Sequence, residues 1–228
     1  MNPSGALRIE AITLVLVAGY VDGYALRVFG IYVSFMSGNT TLAGIESGQG
    51  HFLIALIPTV TIAGFVLGSF VGNWFAHSQL RHSQRFLFIA SAVLIAGFVG
   101  LNVHISGNAR SLPMLSVAMG MINPAVTRIG GEPVSLTFVT GTLNKMANHL
   151  ALGVRRAGLP NAEGSWDTHF YRAALEAGLW LGFLAGAIFS GAASGHFGRL
   201  ELVPASLALL AFGLVNRGQT PTPSTQTR

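Results

Sequence analysis

The sequence predicts an all-α, polytopic transmembrane helix bundle of about six spans, built from two related halves. Hydrophobic residues make up 51% of the chain and charged residues only 9%, whereas a soluble domain carries about 25% charged residues. So few polar side chains cannot cover a soluble globule, and the apolar surface must face lipid. Six apolar stretches approach the length of a membrane span, roughly over 9–27, 52–76, 86–104, 112–127, 170–193 and 201–216.

Composition and motifs exclude several other classes of protein. The chain has no cysteine, which rules out disulfides, thiolate metal sites and cysteine nucleophiles. The net charge of +5 comes from scattered residues rather than a basic helix, so we expect no nucleic-acid partner. Phosphate-binding glycine loops, hydrolase elbows and histidine pairs with metal-ligand spacing are missing from the sequence. We therefore predict a protein that is not an enzyme and that holds no cofactor or metal.

Two further segments, 29–45 and 134–153, are apolar but interrupted by small polar residues. The first carries the tract Ser37-Gly38-Asn39-Thr40-Thr41 and the second carries Thr140-Gly141-Thr142. Irregular backbone at membrane depth persists only where protein or a wet cavity satisfies its polar groups. The pattern therefore predicts two broken or re-entrant helices. The alternative is two complete spans, which would give eight helices.

The second half of the chain repeats features of the first half in the same order. Gly19 and Asp22 match Gly120 and Asn123, 101 positions later, and Ser34 matches Ser135 at the same offset. Two further matches follow: Phe35–Gly38 with Phe138–Gly141, 103 positions later, and 64–68 with 182–186, 118 positions later.

An odd number of spans in each half predicts that the halves are inverted relative to each other, as in many secondary transporters. Repeat 1 covers about 9–105 and repeat 2 about 112–216. We expect residues 1–216 to form a single transmembrane domain and 217–228, rich in Thr, Pro, Gln and Ser, to be a disordered tail.

The polar residues at the interruptions are the candidate binding site. Hydroxyls, amides and flexible glycines can contact a solute at an opened helix end, or they can merely satisfy the broken backbone. The predicted solute-contacting residues are Ser37, Gly38, Asn39, Thr40, Asn123, Thr140, Gly141 and Thr142. Asp22, deep in the first apolar stretch, is the candidate ion-coupling residue. The alternative for Asp22 is a pair with Arg27 or a cap on the helix break.

Two sets of glycines at intervals of four predict close helix packing. They are Gly64, Gly68 and Gly72 in one stretch and Gly178, Gly182 and Gly186 in another. The packing partner is either the other half of the chain or a second subunit, so a homodimer through these faces is one expectation. Elsewhere, Lys145 and His149 share a helix face, and they line a wet vestibule or form a structural pair.

The distribution of basic residues predicts the orientation. With the N-terminus in the cytoplasm and six spans, ten basic residues fall inside: Arg8, Arg81, Arg85, Arg128, Lys145, Arg155, Arg156, Arg172, Arg217 and Arg228. The outside receives Arg27, Arg110 and Arg199. Because cytoplasmic loops are enriched in Lys and Arg, both termini are predicted to be cytoplasmic.

Two signatures of the chain resemble a known family. Residues 18–23 with 35–44 are similar to the first signature of the YoaK-like family, and residues 118–125 with 137–143 are similar to the second. The resemblance implies an uncharacterised multi-pass protein of the bacterial cytoplasmic membrane and carries no established substrate. Ser37 stands where the family usually has Thr, and Ile122 stands where it usually has Gln.

The inverted repeat and the interrupted segments together favour a secondary transporter or permease for a small solute. The rival class is a non-transporting scaffold or lipid-binding protein, in which the polar residues satisfy only one another. A channel is a third possibility, but it would need a continuous polar stripe, and the sequence offers only short polar stretches.

Overall fold

Eight α-helices make up most of the part of the chain that this computed structural model describes, namely residues 3–78, 80, 82–104, 109–125, 128–129, 132–133, 137–159 and 162–215. The helices are α1 (Pro3–Phe29), α2 (Met36–Gly48), α3 (Phe52–Ala76), α4 (Ser83–His104), α5 (Leu112–Ile122), α6 (Val139–Val154), α7 (His169–Ala193) and α8 (Val203–Val215). An antiparallel pair of two-residue strands, β1 (Arg128–Ile129) and β2 (Glu132–Pro133), precedes α6. The predicted tail, 217–228, lies outside the described residues.

Four of the described helices are long and apolar enough to cross a membrane: Leu7–Phe29, Phe52–Ala76, Ser83–Asn102 and His169–Ala193. The apolar helix Val203–Val215 is shorter, and α5 has 11 residues before a 3-10 turn, Asn123–Ala125. An all-helical bundle with four candidate spans is therefore confirmed, while two of the six predicted spans are shorter than the prediction assumed.

Hydrogen bonds between helices fix the direction of α4 relative to α5 and α8. The start of α4 meets the end of α5, where Gln84 donates to the Ala125 carbonyl at 2.8 Å. The end of α4 meets the start of α5, where Asn102 donates to the Ser111 hydroxyl at 2.9 Å. Both α5 and α8 run antiparallel to α4, because Ser206 near the start of α8 donates to the carbonyl of Ala92 at 2.9 Å while the end of α8 approaches the start of α4.

Two other helix pairs run parallel, and each joins one half of the chain to the other. Along α1 and α7, contacts progress together from Ile12 beside Gly182 to Gly23 beside Ser190. Along α3 and α5 they progress from Gly64 beside Pro113 to later residues of both helices. Glu201, just before α8, contacts Arg27 at the end of α1 and Ser190 near the end of α7, so α1 and α7 run opposite to α8. The helices α1, α4 and α7 therefore run one way and α3, α5 and α8 the other. The short α2 and α6 pair with α3 and α7 in two hairpins, which we call the first hairpin (36–76) and the second hairpin (139–193).

Glycines bring the backbones of α1 and α7 into direct contact. A Cβ atom at Gly19 would overlap the carbonyl oxygen of Phe183, and a Cβ atom at Gly186 would overlap that of Leu16. Only glycine leaves room for such an approach.

The same arrangement recurs between α3 and α5. A Cβ atom at Gly68 would overlap the carbonyl oxygen of Val117, and one at Gly120 would overlap that of Phe65. Gly120 is the repeat match of Gly19, and Gly186 that of Gly68, so corresponding glycines make corresponding contacts. The close packing predicted from the glycine spacing is made within the chain, and a dimer through these faces would have to displace it.

The structure differs from the sequence prediction at the polar tracts. The backbone of α2 is helical from Met36 onward, straight through Ser37–Thr41, and α6 is helical through Thr140–Thr142. In α2, Thr40 and Thr41 donate to the carbonyls four residues earlier, at 2.9 and 3.0 Å. Their hydroxyls therefore add to the helix rather than interrupt it, and the break lies before the first tract, at residues 30–35.

The glycine contacts can be tested by adding one methyl group. We expect Gly186→Ala to destabilise the protein by roughly 1–3 kcal/mol, because the neighbour that must move is backbone rather than a flexible side chain. Gly191→Ala in the same helix is the matched control, since no atom of the described residues lies within 4 Å of its Cβ position. Thermal unfolding in detergent measures both variants. Equal melting temperatures for the two would contradict the packing.

Candidate functional site

Asp22 holds an irregular segment against α1, about two turns before the end of that helix. Its side chain is 2% exposed. One carboxylate oxygen accepts the backbone N–H groups of Val33 and Ser34, both at 2.8 Å, and the other accepts the Ser34 hydroxyl at 2.6 Å. These donors satisfy the carboxylate and fix residues 30–35 seven positions before the end of α1. Asp22 thus makes the contacts of a cap on the helix break, which is the alternative to ion coupling that the sequence offered.

The same segment is fastened to the second half of the chain. Ser116 on α5 donates its hydroxyl to the carbonyl of Val33 at 3.0 Å, and both groups are buried. Asn39, fully buried at the start of α2, accepts from the Tyr32 N–H at 3.0 Å and donates to the Tyr32 carbonyl at 2.6 Å. The irregular backbone of 30–35 therefore lies between α1 and α5 with polar partners on both sides.

A related pair occurs in the second half. Thr137 donates its hydroxyl to the side-chain oxygen of Asn123 at 3.2 Å, as Ser34 donates to Asp22. Thr137 lies 103 positions after Ser34, so the hydroxyl that corresponds to Ser34 is Thr137. The sequence analysis matched Ser34 with Ser135, which lies outside the described residues.

The predicted solute-contacting residues divide between buried and exposed positions. Asn39 and Thr142 are buried, while Ser37, Thr40 and Thr140 are exposed.

The two glycines of the set have matching surroundings. Gly38 and Gly141 each lie against the phenylalanine that precedes the helix, Phe35 or Phe138. The tracts occupy two different hairpins, and the structure brings Asp22 to Ser34 and Asn123 to Thr137.

Glu201 is a buried carboxylate that the sequence did not single out. It is 2% exposed, forms an ion pair with Arg27 at the end of α1, and accepts the Ser190 hydroxyl at 3.1 Å. The partner of Arg27 is therefore Glu201 and not Asp22. The sequence feature that could have identified Glu201 is its position as a lone acidic residue at the border of the last apolar stretch.

The second hairpin contains more buried charge. Arg172 binds Asp167 through two hydrogen bonds of 3.0 and 2.8 Å, and Lys145 lies 3.6 Å from Glu176. The hydrogen bonds from Arg172 hold the pKa of Asp167 below its usual range. Lys145 and His149 do share a helix face, and both face α7.

The long apolar helices and the buried polar pairs between them define a polytopic helical membrane protein. Residues 11–215 match the family described as a protein of unknown function (DUF1275), and the chain belongs to this family. It is also 32% identical over 213 residues to the UPF0700 transmembrane protein RA0705 of Rhizobium meliloti (strain 1021), covering 89% of this chain and 85% of that one. No solved structure matches the chain.

The role of Asp22 as a cap predicts a graded response to substitution. Asp22→Ala leaves two buried backbone N–H groups without an acceptor, at about 1–3 kcal/mol each. Asp22→Asn should lose much less, because its amide oxygen can accept both N–H groups while its NH2 group donates to Ser34. Thermal stability in detergent distinguishes them. If Asp22→Ala melts like the parent protein, the cap is not stabilising the segment.

The ion pair at the second hairpin predicts a pH dependence. Because the folded-state pKa of Asp167 is lowered, its contribution is full above the ordinary carboxyl pKa and is lost as the pH falls through the lowered value. We expect Asp167→Asn to destabilise the protein by about 1.5–3 kcal/mol at neutral pH, since it removes the negative charge that accepts two hydrogen bonds from Arg172. The difference should shrink in acid. Glu163→Gln, at an exposed position, is the control and should change little at any pH.

Proposed function

We propose that the protein is a secondary transporter or permease for a small solute and carries out no catalytic step. In this proposal α1, α3, α4, α5, α7 and α8 cross the membrane, and α2 and α6 belong to two re-entrant segments. The two halves are then inverted, and each presents its re-entrant segment from the opposite face. Secondary transporters place their sites at such irregular segments between inverted repeats.

The helix directions favour six crossings over eight. With six, the crossings alternate as α1, α3, α4, α5, α7 and α8, so α4 and α8 run in opposite directions, as their hydrogen bond and close approach require. With eight crossings, three helices (α5, α6 and α7) would lie between α4 and α8 along the chain, and the two would run the same way.

The geometry of residues 30–48 supports a re-entrant segment. The 13 residues of α2 extend about 20 Å, which is less than the ~30 Å of a hydrocarbon core. Residues 33 and 34 bind Asp22 at a level about 10 Å before the end of α1. The helix α2 then runs back toward the level at which α1 ends, where the turn into α3 begins. The segment enters and leaves on the same side.

The observation that carries the proposal is the irregular backbone at 30–35, held between the two halves by Asp22 and Ser116. Non-helical backbone at membrane depth is tolerated only when buried in protein or lining a wet cavity. This segment lies between α1 of the first half and α5 of the second half. Movement of one half relative to the other would open a path for the solute at this position. The exposed hydroxyls of Ser37 and Thr40 follow directly after it.

We further propose that both termini face the cytoplasm of a bacterial cell, with the chain in its inner membrane. The excess of Lys and Arg on the side of the N-terminus supports this orientation. The turn of the first hairpin then faces outward and the turn of the second hairpin faces the cytoplasm.

A scaffold or lipid-binding protein is the second candidate. What favours it is the complete hydrogen bonding of Asp22 and Asn39 by the chain itself, which leaves neither side chain in need of a ligand. The two candidates differ in whether water reaches the exposed faces of α2 and α6.

Cysteine accessibility separates the two candidates, because the chain has no native cysteine. Single cysteines at positions 40 and 140 are treated with a membrane-impermeant thiol reagent from either side of the membrane. A transporter with inverted re-entrant segments predicts labelling of position 40 from outside and of position 140 from inside.

A cysteine at position 67 is the control, because Leu67 is exposed midway along an apolar span and should face lipid and resist the reagent. If positions 40 and 140 resist it as well, the faces of α2 and α6 are dry and the scaffold candidate is favoured. If both label from the same side, the inverted arrangement is wrong.

A further inference from the structure

Two histidine rings meet inside the second hairpin. His149 on α6 is 7% exposed and His169 at the start of α7 is 6% exposed, and their Nδ1 atoms lie 3.0 Å apart. A hydrogen bond between two ring nitrogens requires that one carries a proton and the other accepts it. The two residues therefore form a buried hydrogen bond between imidazole rings. Histidine is the side chain best suited to exchanging protons near neutral pH.

The charged groups around the pair already balance one another. Asp167 is paired with Arg172, and Glu176 lies beside Lys145, so two anions meet two cations. The helix α1 brings Arg8, stacked 4.8 Å from the ring centre of Tyr171, and the buried Glu10 to the same end of the bundle. Because Asp167 and Glu176 each lie against a cation, the histidine pair and Glu10 are the groups of this cluster at which a proton can be gained.

One nitrogen of the pair is left without a partner. His169 Nε2 is buried and forms no hydrogen bond with any residue that the structure describes. Such atoms are uncommon in folded proteins and call for a specific explanation. An atom at which a proton arrives or departs is one explanation that fits an imidazole.

The chemistry of the pair limits its occupancy to one added proton. A single proton converts the neutral pair into an imidazole and an imidazolium that still share one hydrogen bond between their Nδ1 atoms. A second proton would remove the acceptor and make both rings positive with their centroids 5.3 Å apart, which like-charge repulsion opposes.

The first hairpin carries a corresponding pair. Glu46 lies 103 positions before His149 and His51 lies 118 before His169, the same offsets that align α2 with α6 and α3 with α7. His51 Nδ1 lies 3.0 Å from a carboxylate oxygen of Glu46, and the His51 side chain is 53% exposed. A titratable pair thus closes each hairpin, solvent-open in the first and buried in the second.

We propose that the His149–His169 pair is a proton-binding site that takes up one proton in addition to the one already shared between its two Nδ1 atoms. If the protein is the secondary transporter proposed above, this pair is its proton-coupling site, and Asp22 is a structural cap. Only the coupling role rests on the proposed function; proton binding does not.

The test uses ¹⁵N-histidine-labelled full-length protein in lipid nanodiscs. The other five of the seven histidines are replaced by glutamine, so that only the pair remains visible. Ring ¹⁵N signals, followed from about pH 8 to pH 5 where histidine changes charge, count the protons taken up. We expect the pair to take up one proton, with the ring signals of both histidines changing together. No uptake, or two protons taken up by independent rings, would overturn the site.

The unsubstituted protein is the control for the five substitutions. Its thermal unfolding should match that of the variant that keeps only His149 and His169.

The coupling role has a separate readout. Uptake by proteoliposomes that depends on an imposed pH gradient should lose that dependence in His149→Gln and His169→Gln and keep it in the exposed control His196→Gln. Gradient dependence that survives in both pair variants would overturn the coupling role, while absence of uptake would count against the transporter and leave the proton count standing.

Discussion

Backbone contact between the two halves of the chain is the constraint on which the rest of the structure depends. Helix backbones lie against each other at two contacts, which we call the α1–α7 seam and the α3–α5 seam. A side chain would separate the backbones at Gly19 and Gly186 in the first seam and at Gly120 and Gly68 in the second. Lipid does not drive helices together by the hydrophobic effect, so close van der Waals packing has to hold them. Because corresponding residues make the two seams, each half packs against the other in the same way. The irregular segment at 30–35 lies between the two halves.

The sequence predicted this constraint well and the polar tracts less well. The spacing of glycines by four and the match between the two repeats can both be seen in the sequence. In the structure, Gly68 and Gly186 make the close contacts that these patterns predict. The break before α2 was placed in Ser37–Thr41 because small polar residues are typical of interrupted helices. Those hydroxyls instead bond to carbonyls four residues earlier within α2, and the interruption at 30–35 is stabilised by Asp22, eleven or twelve positions away from its donors. Composition does not reveal such a long-range partner.

Buried charge was the harder part to predict. Glu201 and Asp167 stand beside apolar stretches in the sequence and read as loop residues, yet both are buried with arginine partners. The pairing of His149 with His169 depends on the turn that folds α6 back on α7, and it joins residues twenty positions apart. Lys145 and His149 could be placed on one helix face from spacing alone, but what that face meets is a property of the hairpin.

Disulfide cross-linking across the α1–α7 seam tests the central claim most directly. The account predicts that Gly23→Cys with Ser190→Cys, and Val15→Cys with Gly182→Cys, both form disulfides, because each pair lies side by side in two parallel helices within the reach of a disulfide. Val15→Cys with Ser190→Cys should remain reduced, since these positions lie at different levels of the seam. Efficient cross-linking of that third pair, with none in the first two, would contradict the parallel packing of the halves on which the account rests.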